Sequence, residues 1–133
     1  MSEEIQVPIR SDQDIVAARK KGRELALSVG FSASAATLVA TAISELARNI
    51  VLYARSGEIQ VRSIELPQRK GIVVVARDDG PGIANVRQAI QDGFSTSGGL
   101  GLGLPGVRRL MDDFEIVSSP GYGTKVTARK WLL

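Results

Sequence analysis

The sequence predicts an α/β sandwich: one mostly antiparallel mixed sheet with helices on one face, in a single domain spanning residues 1–133. Three observations lead there. Apolar residues alternate with period two at Ile5, Val7 and Ile9, and again from Ile59, which marks strands. From Ile15 to Ala54 the apolar spacing changes to the helical period. The chain then closes on two β-prone runs joined by Pro120-Gly121-Tyr122-Gly123, the composition of a hairpin turn.

Residues 5–9 read as the first strand. Ser11, with Asp14 three residues on, makes a capping box. Ile15, Ala18, Gly22, Leu25 and Val29 keep helical spacing behind it until Gly30 ends the helix. A longer helix is expected over 34–55, with Val39, Ile43, Leu46, Ile50 and Tyr53 or Ala54 as its core stripe. Gly57 breaks that pattern. Ile59 and Val61 open a strand, residues 67–71 make a turn, and residues 72–78 form a buried strand. Residues 84–91 read as a short helix, and 92–103 are rich in Gly, Ser and Thr. Pro105 suits the first turn of a further helix ending near Asp113. Residues 114–118 and 124–131 form the final hairpin.

Composition removes several chemistries. There is no cysteine and no histidine, so disulfides, thiol nucleophiles, thiolate or imidazole zinc sites, a Ser-His-Asp relay and a phosphohistidine are all excluded. The net charge is +3, and the 17 basic residues are spread along the chain. Aromatics are sparse and no nucleic-acid-binding signature occurs, so nucleic acid is not an expected partner. The strongest apolar run, 72–76, is too short to span a bilayer, and no secretory signal opens the chain. No membrane association is expected, and the cytoplasm is the expected location.

Four segments carry candidate chemistry. Glu45 and Asn49 stand one helical turn apart on one face. A carboxylate there can accept a proton from an attacking hydroxyl, and a carboxamide oxygen is a hard ligand suited to magnesium. The same pair would also serve as plain solvated surface. In Asp78-Asp79-Gly80-Pro81-Gly82, strand parity puts Asp78 on the face of Ile72, Val74 and Ala76. Its carboxylate can accept from an adenine amino group where Gly80 and Gly82 let the backbone come close, although an ordinary Asp-Gly turn reads the same way. The stretch from Ser95 to Pro105 leads bare backbone N–H groups into a helix N-terminus, which makes a phosphate cradle. So many glycines carry a large ordering cost unless a ligand binds them. The run Gly101-Leu102-Gly103-Leu104-Pro105-Gly106 fits the Rossmann fingerprint literally. No strand precedes it and no acid follows at the required distance, so that reading fails, and no P-loop Gly-Lys-Ser/Thr occurs. Gly121-Tyr122-Gly123-Thr124 needs no function as a turn, yet its threonine hydroxyl could reach a base lying between sheet and helices.

In this order and spacing the four segments resemble the four ATP-binding boxes of the GHKL ATPase/kinase family, whose fold is the Bergerat ATP-binding fold. DNA gyrase B, MutL, histidine kinases and anti-sigma-factor kinases belong to it. The resemblance covers roughly Glu45 to Thr124 and implies ATP and Mg²⁺ as ligands. It implies that Asn49 ligates Mg²⁺ and that Glu45 holds the catalytic carboxylate position. Asp78 would bind the adenine amino group, with Gly80 and Gly82 lining the ring and Thr124 beside it. Ser97, Gly99, Leu100, Gly101, Leu102, Gly103 and Leu104 would close on the phosphates as a lid. Many members of the family carry a Lys or His shortly after the Asn. Here Ile50, Val51, Leu52 and Tyr53 follow, and Arg48 or Arg55 are the candidates for that charge.

Within the family, the chain resembles the stand-alone serine/threonine kinases of bacterial partner-switching systems. The runs from Ala42 to Asn49, from Asp92 to Gly101 and from Leu104 to Val107 carry that likeness, together with Asp14 to Arg19 and Lys130-Trp131. It implies transfer of the ATP γ-phosphate to Ser or Thr of STAS-domain scaffold proteins, then release and binding of a phosphatase regulatory region. The alternative is a nucleotide-gated binding module that sequesters or activates partners without obligatory transfer. Glu45 favours the enzyme, because binding alone needs no carboxylate at that position.

Overall fold

The structure is a computed structural model and describes residues 3–80, 103–118, 121 and 123–132. The expected helix at 84–91 and most of the glycine-rich segment lie outside the described residues. β1 (Glu4–Ile9) passes through Ser11 into α1 (Asp12–Val29). Asp14 reaches back over that entry: its Oδ2 accepts from the N–H of Arg10 at 2.8 Å and of Ser11 at 3.2 Å. Donors that a helix start leaves open are thereby satisfied, as the capping box predicts. Ala18, Gly22, Leu25 and Val29 are buried, and Gly30 closes the helix by donating to the carbonyls of Ala26 and Leu27.

α2 (Ala33–Asn49) begins at Ser32, whose hydroxyl accepts from the Ala35 N–H at 3.1 Å. The helix does not run on to Arg55 in α geometry. It gives way at Asn49 to a wider π-helical turn, Ile50–Ala54. The wider turn decides which residue continues the core stripe. Ile50 is buried and Ala54 half-buried, whereas Tyr53 is 48% exposed. By length and composition Ala33–Ala54 would suffice to cross a bilayer, which the short run at 72–76 does not reveal. In this fold half of it is buried inside the protein, with Ala36, Val39, Ile43 and Leu46 in the core.

β2 (Gly57–Leu66) and β3 (Arg69–Asp78) are joined by Pro67 and Gln68 alone, a shorter turn than the expected 67–71. Pairing continues through Leu66↔Arg69, Glu65↔Lys70 and Ile64↔Gly71. Gly71 is therefore a strand residue. A Cβ there would stand 2.4 Å from the Lys130 carbonyl oxygen and 2.8 Å from the Trp131 ring, so the bare backbone admits the neighbouring strand. α3 (Gly103–Leu110) contains Pro105 in its first turn and stops short of Asp113, because Asp113 pairs with Arg129 and opens β4 (Asp113–Ser118). β5 (Thr124–Trp131) completes the hairpin.

The sheet order is β1-β2-β3-β5-β4, with every neighbouring pair antiparallel. One face packs Ile9, Ile59, Val61, Ile72, Val74, Val126 and Ala128 against the helices. At the centre, β3 also buries Val73 and Val75 on its other face, so its apolar run is continuous rather than alternating. The far end of β5 is pinned to the start of β4. The Trp131 N–H donates to Asp112 Oδ2 and its indole Nε1 to Asp113 Oδ2, both at 2.8 Å. The Arg69 guanidinium lies 3.7 Å from the centre of the Trp131 ring, close enough for a cation–π contact.

The capping box can be weighed directly. Asp14→Ala should lower stability by about 1 kcal/mol, the usual worth of a lost helix cap. Urea unfolding would show this as a lower midpoint at unchanged slope. An unchanged midpoint would mean the contacts to Arg10 and Ser11 add nothing.

Candidate functional site

The site is built where the end of α2 meets the end of the sheet. Glu45 lies off the core stripe of α2, yet it is only 6% exposed. It is the buried charged side chain among the described residues. Burying a carboxylate is costly unless its surroundings compensate it. Asn49, one turn on, is half-buried, while Arg48 between them is exposed. The helix thus turns the predicted pair inward and its neighbour outward, as spacing requires.

The π-helical turn carries the chain from Asn49 down to the sheet. Ala54 ends against Gly80: a Cβ on Gly80 would stand 2.6 Å from Ala54 Cβ and 2.8 Å from Ala54 Cα. The chain reverses at Arg55, a non-glycine residue at φ 73°. It re-enters the sheet at Gly57, where a Cβ would meet the Arg77 carbonyl oxygen at 2.2 Å and Ile50 Cγ2 at 2.9 Å. Arg48 and Arg55, the candidates for the missing family charge, are both exposed.

At the sheet end the register aligns one row of residues. Gly57 pairs with Asp78, Asp78 with Thr124, and Thr124 with Ser118. Registered partners share a face, so Asp78, Thr124 and Ser118 stand side by side on the helix-covered face. Asp78 Oδ1 accepts from the Gly80 N–H at 2.9 Å, which fixes the carboxylate and leaves Oδ2 to offer. Gly123 lies over Asp78: a Cβ there would stand 2.2 Å from the Asp78 carbonyl oxygen, and its φ of 81° is itself a glycine conformation. Ser118 Oγ lies 2.8 Å from Thr124 Oγ1 and 2.9 Å from the Gly123 carbonyl oxygen.

Of the residues expected from sequence, the structure brings Asp78, Gly80 and Thr124 together at the sheet end, with Glu45 and Asn49 on the helix that reaches it. Gly103 opens α3. The Leu104 side chain packs on the core, so only its main chain is available to a phosphate cradle. Gly82, Ser97, Gly99, Leu100, Gly101 and Leu102 lie outside the described residues. Sequence reading missed Ser118, whose signal is its register opposite Thr124 across the final hairpin. It also missed Ala54 as the surface that receives Gly80.

Comparison with known proteins agrees with this geometry. Residues 9–130 match the histidine kinase-like ATPase domain family. The chain is 50% identical over 132 residues to the serine/threonine-protein kinase RsbT of Bacillus subtilis (strain 168), covering 99% of each chain. It is 33% identical over 100 residues to an anti-sigma F factor of Caldanaerobacter subterraneus subsp. tengcongensis, covering 71% of this chain and 68% of the relative. An anti-sigma F factor of Bacillus licheniformis is also 33% identical, over 101 residues, covering 72% of this chain and 69% of that one. An antiparallel five-stranded sheet under helices, an Asp-Gly pair locked at its end, and a likeness over almost the whole chain place this protein in the histidine kinase-like ATPase domain family.

Proposed function

We propose that the chain is an ATP-dependent serine/threonine-protein kinase of a bacterial partner-switching pathway. It acts in the cytoplasm on STAS-domain scaffold proteins and, once released, binds the regulatory domain of a phosphatase. The observation that carries the kinase reading is Glu45, a carboxylate buried one turn before Asn49. Holding nucleotide needs no acid at that position, whereas transfer to a hydroxyl uses one. The likeness to a serine/threonine-protein kinase over 99% of both chains supports the reaction class. The likeness to anti-sigma F factors supports protein partners.

Each residue has a task in that chemistry. Asp78, held by the Gly80 N–H, accepts from the adenine 6-amino group, and Thr124 stands beside it. Gly82 lines the ring. The first N–H groups of α3, from Gly103 and Leu104, face the phosphates, and Ser97, Gly99, Leu100, Gly101 and Leu102 complete that cradle. Glu45 takes the proton of the incoming Ser or Thr hydroxyl as its oxygen bonds to the γ-phosphorus. The bond from that phosphorus to the bridging oxygen breaks, and ADP leaves with the electron pair. Asn49 would hold Mg²⁺, its carboxamide oxygen being a hard donor suited to that ion. When bound, the ion supplies positive charge against the phosphate oxygens.

The likeness to anti-sigma F factors favours a second reading, a nucleotide-gated binding module. Incubation with labelled ATP and a STAS-domain partner separates the two. Label on a partner Ser or Thr supports the kinase. A wild-type protein that binds both yet transfers nothing to any such partner is a binding module.

Asp78→Asn should weaken ATP binding about tenfold, since charge-assisted hydrogen bonds are roughly twice as strong as neutral ones. Calorimetry giving equal affinity would remove Asp78 from the site. Asn49→Ala should abolish transfer while adenosine still binds, because the metal neutralises phosphate charge and does not touch the base. Transfer at the wild-type rate would refute that ligand. Glu45→Gln keeps the shape and removes the base. Transfer should fall roughly 10²- to 10⁴-fold with Mg–ATP affinity nearly unchanged. A variant as fast as wild type would make Glu45 a structural residue.

A further inference from the structure

The pair Lys130-Trp131 closes β5, and the ATP site uses neither side chain directly. Strand parity sends the two to opposite faces of the sheet, Lys130 with Val126 and Ala128 toward the helices and Trp131 to the other side. Both return to one stretch of chain, the junction of α3 and β4. Lys130 Nζ donates to the Leu110 carbonyl oxygen at 3.0 Å, a half-buried contact. The Trp131 N–H and indole Nε1 hold Asp112 and Asp113, and the Asp112 N–H donates to the Arg129 carbonyl oxygen at 2.8 Å. Leu110 is the last residue of α3. Its carbonyl is one that a helix leaves without an internal partner, at the negative end of the helix dipole, where an ammonium is a favoured neighbour. Arg108 and Arg109 also sit in that last turn, but both are exposed. Lys130 differs because it belongs to the sheet, so its contact fixes position as well as charge.

We infer that Lys130 is a positioning residue for the phosphate end of the site: by fastening the last turn of α3 to β5, it sets the direction in which the first turn presents its N–H groups. This rests on the reading of Gly103 and Leu104 as donors to the phosphates. α3 has eight residues, about 12 Å of helix, and a helix that short is not stable alone. Pro105, Gly106 and Val107 bury its middle, and Lys130 fastens its end. A rod held only at its middle can tilt, whereas one held at its middle and its end cannot. Without the lysine, a share of the molecules holds α3 tilted or frayed. Phosphate binding must then restore the docked helix, which lowers the apparent affinity by that share. The base end is spared, because Asp78 and Thr124 are set by strand pairing at the opposite end of β5. Lys130 acts through α3, not on the nucleotide.

Lys130→Met keeps most of the stem and removes the donor. Affinities for ATP and for adenosine, with Mg²⁺ present, are measured by calorimetry on the full chain. Amide exchange in α3 is followed on the same proteins without nucleotide. In Lys130→Met, amides 107–110 should exchange faster. ATP affinity should fall several-fold, with about tenfold, the worth of one charge-assisted hydrogen bond, as the ceiling. Adenosine affinity should hold, so the ratio of the two falls. Lys130→Arg keeps a cation with donors and should keep most of the wild-type ratio. Ser32→Ala, which removes the cap of α2 instead, is the control: a loss of stability alone lowers its urea midpoint and leaves the ratio where it was. If Lys130→Met does not fold, Lys130→Gln, uncharged and shorter, takes its place with the same expectations. A wild-type ratio in that variant, or α3 amides exchanging as in wild type, overturns the inference and leaves the ATP site standing. A wild type that binds ATP no tighter than adenosine overturns the phosphate reading of α3 itself.

Discussion

Gly123 has no side chain at a point where one would collide with the Asp78 carbonyl oxygen at 2.2 Å, and its φ of 81° is one that other residues rarely adopt. That close approach sets the start of β5 against the end of β3. Thr124 is thereby fixed next to Asp78, and Ser118, through the β4–β5 pairing, next to Thr124. Asp78 has its other side fixed by the same means, since Gly80 both donates to Oδ1 and lies against Ala54. Two glycines from distant parts of the chain thus hold Asp78 in place, Gly123 by close approach to its main chain and Gly80 through an N–H to its carboxylate.

The helix side of the site is shaped by a change of pitch. Had α2 run on in α geometry, the spacing of its stripe would have left the choice between Tyr53 and Ala54 open. The π-helical turn settles it in favour of Ala54, the small residue that Gly80 needs. Such turns lengthen the circumference and shift the register of everything after them. Here the shift comes directly after Asn49, so Glu45 and Asn49 keep regular α-helical spacing while the chain below them is re-aimed at the sheet.

Much of this was legible in residues that act locally. The capping box at Ser11 and Asp14 was readable because it needs only four consecutive residues. The placement of Asp78 on the covered face followed from strand parity, and the burial of Ala18, Gly22, Leu25 and Val29 from helical spacing. What escaped depends on partners far along the chain. Gly71 looked like a turn residue until the β3–β5 pairing brought Lys130 and Trp131 against it. The helix after Pro105 looked longer until Asp113 was claimed by Arg129. The 6% exposure of Glu45 is a tertiary fact, since helical spacing alone allows the same residue to face solvent. Ser118 gives no local sign at all, because its contact with Thr124 comes from a cross-strand neighbour.

The sheet order places β5, the final strand of the chain, between β3 and β4 rather than at an edge. During synthesis the ribosome delivers β1, β2, β3, α1, α2 and α3 first, and the row at the sheet end still lacks Thr124. Asp78 is then already present, but Thr124 is not beside it, and β4 has no strand to pair with. A nascent chain that stops between Asp78 and β5 therefore carries Glu45, Asn49 and Asp78 without Thr124 beside them. The row at the sheet end is complete only once β5 has paired with β3, since Thr124 reaches Asp78 through that pairing alone.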